Sequence, residues 1–205
     1  MCDPRTSPQR VQLFENRQLE KLTLISPRGF VLVWSIALPF IAWMGWGTAG
    51  VAYGALLFAL GLLVWSLFEY AMHRFLFHWD SDAAPIRWLV FAVHGNHHTT
   101  PNDPLRNLMP PLVSLPISAA VWATCVALLG MAGTWLFLGF IIGYVGYDVV
   151  HYACHQWPMR SRIGMAIKRH HMRHHHVDEE GNYAITAIFW DRMFGSSVRE
   201  IKKAQ

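Results

Sequence analysis

Charge and cysteine are both scarce in this sequence. Only 15% of its 205 residues are charged, whereas 53% are hydrophobic and 14% aromatic. That balance is unusual for a soluble domain of this size and is typical of a membrane protein. The three cysteines, Cys2, Cys125 and Cys154, are an odd number without CxxC spacing, which argues against a disulfide framework or a zinc ribbon and predicts incidental thiols. Residues 1–29 lack the apolar core of a secretory signal, so no targeting segment is predicted.

Two long stretches contain no Asp, Glu, Lys, Arg or His. They run from Phe30 to Phe68 and from Asn107 to Tyr147, and each is about twice the ~20 residues that a membrane-crossing helix needs. Glycines interrupt both near their middles, as at turns. The pattern predicts an all-α integral membrane protein with four transmembrane helices in two hairpins, near 30–46, 50–69, 110–129 and 132–150. Buried helices of a soluble core are the alternative, but such helices usually keep a polar face, and these keep almost none.

The basic residues predict how the chain is oriented. All 17 Lys and Arg residues lie outside the two charge-free stretches. By the positive-inside tendency, both termini and the middle segment face the cytosol, from a bacterial inner membrane or an endoplasmic reticulum membrane. Anionic headgroups, rather than nucleic acid, are the expected partners of the net charge of +4. We therefore divide the chain into a cytosolic N-terminal segment, 1–29, and a membrane-embedded domain, 30–205.

All 12 histidines fall in four short windows, 73–78, 94–98, 151–155 and 170–176. Each predicted hairpin returns the chain to the side on which it started. The four windows are therefore expected on one face, in a cytosolic helical cap that also carries the active site. Clustering of every histidine in so little of the chain indicates that the imidazoles act together.

The spacing within the windows favours metal binding. Residues three and four apart on a helix share a side, which fits the second, third and fourth windows. His73 and His78 are five apart, so we expect a helix end or a distortion between them. The favoured ligands are His73, His78, His94, His97, His98, His151, His155, His171, His174 and His175. Ten imidazoles are too many for one metal and suit two metals with four or five nitrogens each.

The nature of the metal and the surroundings of its ligands stay open at this point. Imidazole suits Fe, Cu, Zn and Ni, so ligand type does not choose the ion. His170 and His176 adjoin the last triplet and are expected to be solvated neighbours, proton carriers or headgroup contacts. Glu69 precedes His73 by four residues, and Asp148 precedes the third window by three. Either carboxylate is expected to accept a ring N–H and orient a ligand, with ordinary interfacial solvation as the alternative.

The motifs resemble those of the fatty acid hydroxylase and sterol desaturase superfamily, most closely the fatty acid 2-hydroxylases that act on sphingolipid acyl chains. The resemblance runs from Glu69 to Gly195 and includes Met109-Pro110-Pro111 and Phe189-Trp190-Asp191 besides the histidine windows. It implies the same ten ligands, with His171 rather than His170 leading the last motif. A second His often follows the third motif in this superfamily, and here Gln156 stands there instead.

The resemblance also implies a function. It implies two iron ions, for which zinc is a substitute that a purified sample can hold, and O2 as the co-substrate for hydroxylation of a lipid acyl chain at C2. No catalytic residue is expected beyond the metal centre. No cytochrome b5-like domain precedes the membrane part, so electrons are expected from a separate protein, such as cytochrome b5 or ferredoxin with its reductase.

Two other functions remain open. Desaturation, or hydroxylation of a sterol or carotenoid, would use the same histidine site with a different pocket. A membrane metal transporter or sensor is the more distant alternative. Transport would need ionisable groups near the middle of the bilayer, and both predicted hairpins lack them.

Overall fold

A computed structural model describes residues 10–198, and this part of the chain is helical with no β-strand. The α-helices are α1 (Arg17–Leu22), α2 (Pro27–Gly45), α3 (Val51–Ala71), α4 (Ala84–Val90), α5 (Asn96–Thr99), α6 (Pro111–Leu129), α7 (Gly133–Gln156), α8 (Arg162–His176) and α9 (Phe189–Met193). Two π-helices, Met72–Phe77 and Phe91–Gly95, continue α3 and α4, and a 3₁₀ turn, Gly130–Ala132, joins α6 to α7. The prediction of an all-helical fold is confirmed for residues 10–198.

Three continuous helical stretches are long and apolar enough to cross a membrane. They are Pro27–Gly45, Val51–Phe77 and Pro111–Gln156. The third has 46 residues and comprises α6, the 3₁₀ turn and α7. Gly130, at φ 60°, adopts the left-handed conformation where this stretch turns, as the glycines there predicted. Helices are present at all four predicted positions, with bounds that differ by up to six residues from those expected.

The bundle is built around α7, which runs parallel to α3. The two backbones approach so closely that a Cβ added to Gly139 would lie 2.0 Å from the carbonyl oxygen of Phe58. Farther along both helices, the rings of Trp65 and Tyr147 lie 5.7 Å apart. Because the later residues of α3 meet the later residues of α7, these helices end on the same side of the bundle.

Helices α2 and α6 run antiparallel to α7. The ring of Trp34, early in α2, packs at 5.4 Å on that of Tyr144, late in α7. From α6, Trp122 donates to the hydroxyl of Thr134 at the start of α7. The helices α2 and α6 therefore begin where α3 and α7 end. This arrangement brings the histidine windows, which follow or end α3 and α7, to one end of the bundle.

The approach of α3 to α7 gives a test of the fold. Replacing Gly139 by alanine should force the two backbones apart, because the new Cβ meets a carbonyl oxygen rather than a flexible side chain. Overpacking of this kind costs about 1–3 kcal/mol, so the melting temperature in detergent should fall. In Gly146→Ala, by contrast, the new Cβ meets nothing within 4 Å. Equal melting temperatures for the two variants would contradict the packing.

The N-terminal segment lies at the same end of the bundle as the histidines. Arg10 donates two hydrogen bonds to the carboxylate of Asp103, and Arg106 forms an ion pair with Glu20. The N–H of Ile25 donates to a carbonyl in the same 103–106 segment. Residues 1–9 of the predicted segment 1–29, with Cys2, lie outside the described residues, as do the basic residues after 198. Cys125 and Cys154 are buried and free, as predicted.

Candidate metal centre

The first histidine window lies on a π-helix. His73 is inside Met72–Phe77, and His78 follows it directly. A π-helix bonds residue i to residue i+5, so it brings side chains five apart to the same side, which an α-helix does not. The distortion predicted between these two histidines is confirmed. A second π-helix, Phe91–Gly95, carries His94 into the next window.

The ten histidines favoured by spacing come together in two groups of five. Within each group, the nearest ring nitrogens all lie within 4.8 Å of one another. The first group comprises His73, His78, His94, His98 and His174, and the second comprises His97, His151, His155, His171 and His175. His170 and His176 belong to neither group.

In two helical segments, histidines four residues apart belong to the same group, whereas the histidine three residues after the first belongs to the other group. His94 and His98 are in the first group while His97 is in the second, and α8 repeats the division with His174 apart from His171 and His175. Three residues fall short of a full helical turn and four exceed it. The ring three residues on and the ring four residues on therefore point to opposite sides of the first ring. Two helical segments thus contribute to both groups and hold the groups next to each other.

The arrangement fits metal binding by its nitrogen chemistry. Neighbouring Nε2 atoms in each group lie 2.8–3.2 Å apart. Two nitrogens bound at right angles to one metal, each at about 2.1 Å, are about 3.0 Å apart. Burial, reinforced by neighbouring histidines, holds the pKa of His94, His97 and His171 well below its usual range and lowers that of His78 to about 4. Neutral imidazoles offer the lone pairs that a metal requires.

The outer nitrogens of the first group contact the backbone. His73 donates through Nδ1 to the carbonyl oxygen of Tyr183, at 2.5 Å, and His174 does the same to Gly181, at 2.7 Å. A carbonyl only accepts, so each bond fixes the ring proton on Nδ1 and leaves Nε2 bare toward the group. His98 Nδ1 lies 3.2 Å from the carboxylate of Glu179. In the second group, the buried Nδ1 atoms of His97, His171 and His175 have no hydrogen-bond partner among residues 10–198.

Two buried carboxylates hold the segment 181–186 that supplies these carbonyls. Asp191 is fully buried and accepts hydrogen bonds from the N–H groups of Tyr183 and Ala184 and from Ser196 and His170. Glu69 accepts from the N–H groups of Ile185 and Thr186 and from the Thr186 hydroxyl. Sequence reasoning did not single out Asp191, although it stands in the Phe189-Trp190-Asp191 motif.

The contacts expected for Glu69 and Asp148 are therefore different from those found. Neither carboxylate accepts a histidine N–H within residues 10–198, because backbone N–H groups occupy the Glu69 oxygens, and Met109 N–H and the Tyr144 hydroxyl donate to Asp148. Each carboxylate instead fixes a backbone segment beside a histidine group. The expectation of direct ring contact is corrected to an indirect one.

A cleft of about 490 Å³ opens onto the first group only. Its polar lining includes His78, His94 and His98, and its apolar lining includes Phe77, Trp79 and Val90. Trp79 is also half exposed to the outside. The cleft begins where the π-helix that extends α3 ends, and Asp80, Thr99 and Glu179 complete its polar lining.

The helical fold of residues 10–198, its membrane-length apolar helices and its two convergent histidine groups define a class of membrane-type helical proteins whose histidine clusters could hold metal ions. Residues 58–196 match the family model described as fatty acid hydroxylase. This match covers well over half of the chain, so the chain belongs to that family.

Curated relatives agree with this family. The chain is 42% identical over 147 residues to the ceramide very long chain fatty acid hydroxylase scs7 of Schizosaccharomyces pombe, covering 68% of this chain and 41% of the relative. It is 37% identical over 150 residues to the fatty acid 2-hydroxylase of Macaca fascicularis, covering 70% of this chain and 40% of that protein. The chain thus spans about two fifths of the length of these relatives.

A solved structure shares the fold. The structure of full-length scs7p, in which only the hydroxylase domain is visible, superposes with a TM-score of 0.84 at 29% sequence identity. The superposition covers 93% of this chain and 74% of that one. The resemblance to fatty acid 2-hydroxylases inferred from the motifs is confirmed.

Proposed function

We propose that this chain is an O2-dependent di-iron hydroxylase that acts on a lipid acyl chain, at C2 of a fatty acyl or sphingolipid chain. The observation that carries the proposal is the pair of five-histidine groups at one end of an apolar helical bundle, in a chain of the fatty acid hydroxylase family. Its relatives, a fatty acid 2-hydroxylase and a ceramide very long chain fatty acid hydroxylase, support the substrate class.

Each histidine group would hold one iron through its Nε2 atoms. The pair of irons, when bound, supplies the activation of O2 that an unactivated C–H bond requires. The protein's own residues hold the rings in place: the carbonyls of Gly181 and Tyr183 orient His174 and His73. Six of the ten histidines are buried, His73, His94, His97, His151, His171 and His174, which limits the access of water to the centre.

The cleft suits the approach of an acyl chain. Phe77, Trp79 and Val90 offer apolar contacts to the chain, while His78, His94 and His98 lie at its inner wall. In a bilayer, C2 is next to the carbonyl carbon and lies close to the headgroups. A site at the ends of the membrane-length helices, where His73, His151 and His155 lie, is at that depth. This depth favours C2 over positions in the middle of the chain.

Membrane topology follows from the same arrangement. With α2, α3, α6 and α7 each crossing once, the bundle has four spans, and both described chain ends and the histidines share one side. The basic residues assign that side to the cytosol, of a bacterial inner membrane or an endoplasmic reticulum membrane. We infer the division into an N-terminal segment, 1–29, and a membrane-embedded domain, 30–205. The separate electron donor, cytochrome b5 or ferredoxin with its reductase, remains a prediction.

The proposal is tested by expressing the chain in membranes with an electron donor and isotopically labelled O2, and then comparing lipids by mass spectrometry. We expect one labelled oxygen atom at C2 of an acyl chain, and no such product from His174→Ala. The labelled position also decides among related reactions. A new double bond without added oxygen, or labelled sterol or carotenoid, would contradict acyl-chain 2-hydroxylation.

A further inference from the structure

Helix α8 has two faces of different chemistry. Its inner face carries His171, His174 and His175, which belong to the two histidine groups. An α-helix turns by about 100° per residue, so Arg162, Arg169 and Arg173, seven and four residues apart, share the opposite face. All three arginines are exposed. The histidine groups thus lie directly beneath a helix whose other side is basic.

Arg192 of α9 extends this basic face. It lines a pocket of about 270 Å³ together with Arg173, His170 and Asn182. Within residues 10–198, none of these arginines forms an ion pair with a carboxylate. The chain from residue 149 to residue 177 also contains no Asp or Glu. We call Arg162, Arg169, Arg173 and Arg192 the arginine face.

Hydrogen bonds connect the arginine face to the first histidine group. His170 lines the pocket and contacts Asp191 at 2.9 Å. Asp191 accepts the N–H of Tyr183, and the carbonyl oxygen of Tyr183 accepts from His73. A continuous path of covalent and hydrogen bonds therefore leads from the surface to a histidine of the site.

We propose that the arginine face is the docking surface of an acidic one-electron carrier protein. The inference rests on the proposed function, because turning a C–H bond into an alcohol with one O2 takes up two electrons and two protons and releases one water. Such a carrier delivers the electrons in two visits. Basic residues directly over the histidines attract an acidic carrier to the surface from which its distance to the histidine groups is shortest.

The position of the arginine face favours a soluble protein over lipid headgroups. The histidines cluster at the C-terminal ends of α3 and α7, with His151 and His155 in the last turns of α7, and α8 packs against them through its own histidines. Its arginine side points away from the histidines and therefore away from the membrane-length helices. Anionic headgroups at the bilayer surface would therefore face the histidine side of α8 and not its arginine side.

The test uses the full chain in nanodiscs with the soluble domain of cytochrome b5 and its reductase. In Arg173→Glu/Arg192→Glu, we expect the KM for cytochrome b5 at low ionic strength to rise about tenfold or more, while kcat at saturating cytochrome b5 stays within about twofold. The difference from the unmodified chain should shrink as salt screens the charges. Turnover driven by dithionite and the iron content should not change.

The matched control is Arg17→Glu/Lys21→Glu, which makes the same charge change on exposed residues of α1. An equal rise in KM in this control, or no rise in Arg173→Glu/Arg192→Glu, would overturn the docking surface. So would an effect that occurs only in nanodiscs containing phosphatidylserine, which would indicate headgroup binding. Failure of the proposed function is distinct: the unmodified chain with dithionite would then hydroxylate no lipid.

Discussion

Replacing His171 by alanine is expected to abolish hydroxylation. His171 is fully buried, and its Nε2 lies 2.8 Å from that of His155 and 3.1 Å from that of His175. Removal of its ring takes one of five nitrogens from the second group. Loss of a residue that only supports a ligand typically costs 10–100-fold in metal affinity or activity, so loss of the ligand itself should exceed about 100-fold. Labelled lipid product and bound iron, measured on the same sample, check this expectation.

His176→Ala is the matched control. His176 lies on the same helix, is exposed, and belongs to neither histidine group. It should keep its iron and its activity. Full activity in His171→Ala, or an equal loss in both variants, would show that membership of the two groups does not decide function.

Replacing Asp191 by asparagine should weaken iron binding in the first group while the second group keeps its affinity. The carboxylate accepts from Tyr183, Ala184, Ser196 and His170. An amide places an N–H₂ group where an oxygen accepted two of these donors, and each unsatisfied buried donor costs about 1–3 kcal/mol. The segment 181–186 should then shift, and with it the carbonyls that orient His73 and His174. We expect about 10–100-fold weaker binding of one iron.

Asp148→Asn gives the complementary result. Asp148 accepts from Met109 N–H and the Tyr144 hydroxyl, beside the second group, and does not contact the segment 181–186. Iron titration followed by spectroscopy should show loss of one iron in each variant, with different spectra for the iron that remains. Identical remaining spectra, or loss of both irons in Asp191→Asn, would contradict separate support of the two groups. Asp191→Glu, which keeps a carboxylate, should restore part of the affinity.

Much of the fold was predictable from where charged residues are absent and where glycines occur in the sequence. Two charge-free stretches with glycine breaks specify paired apolar helices, and the turn at Gly130 lies where the glycines predicted it. The packing order around α7 was not predictable. It depends on close backbone contacts, such as that of Gly139 with Phe58, which a single sequence does not reveal.

The candidate site was likewise predictable only in part. Histidine spacing selected the ten residues that come together, and the five-residue step from His73 predicted a distortion that proved to be a π-helix. The assignment of His97 and His174 to the opposite group from their neighbours required the three-dimensional direction of each helix. Spacing alone gave only residues that share a side.

The supporting contacts were beyond sequence reasoning for a physical reason. The carbonyls of Gly181 and Tyr183, which accept hydrogen bonds from histidine rings, belong to the backbone. No pattern of side chains in the sequence therefore predicts these contacts. Between them Asn182 adopts the left-handed conformation, with φ 55°, which asparagine tolerates better than most residues. Asp191 and Glu69 bind this segment through N–H groups. Their partners therefore depend on a loop conformation that only the folded chain reveals.

The central claim is that each five-histidine group holds one iron. Anomalous diffraction at the iron absorption edge, on crystals of the iron-loaded chain, tests it most directly. We expect two peaks, one among His73, His78, His94, His98 and His174, and the other among His97, His151, His155, His171 and His175. A single peak shared between the groups, or peaks outside both, would contradict it.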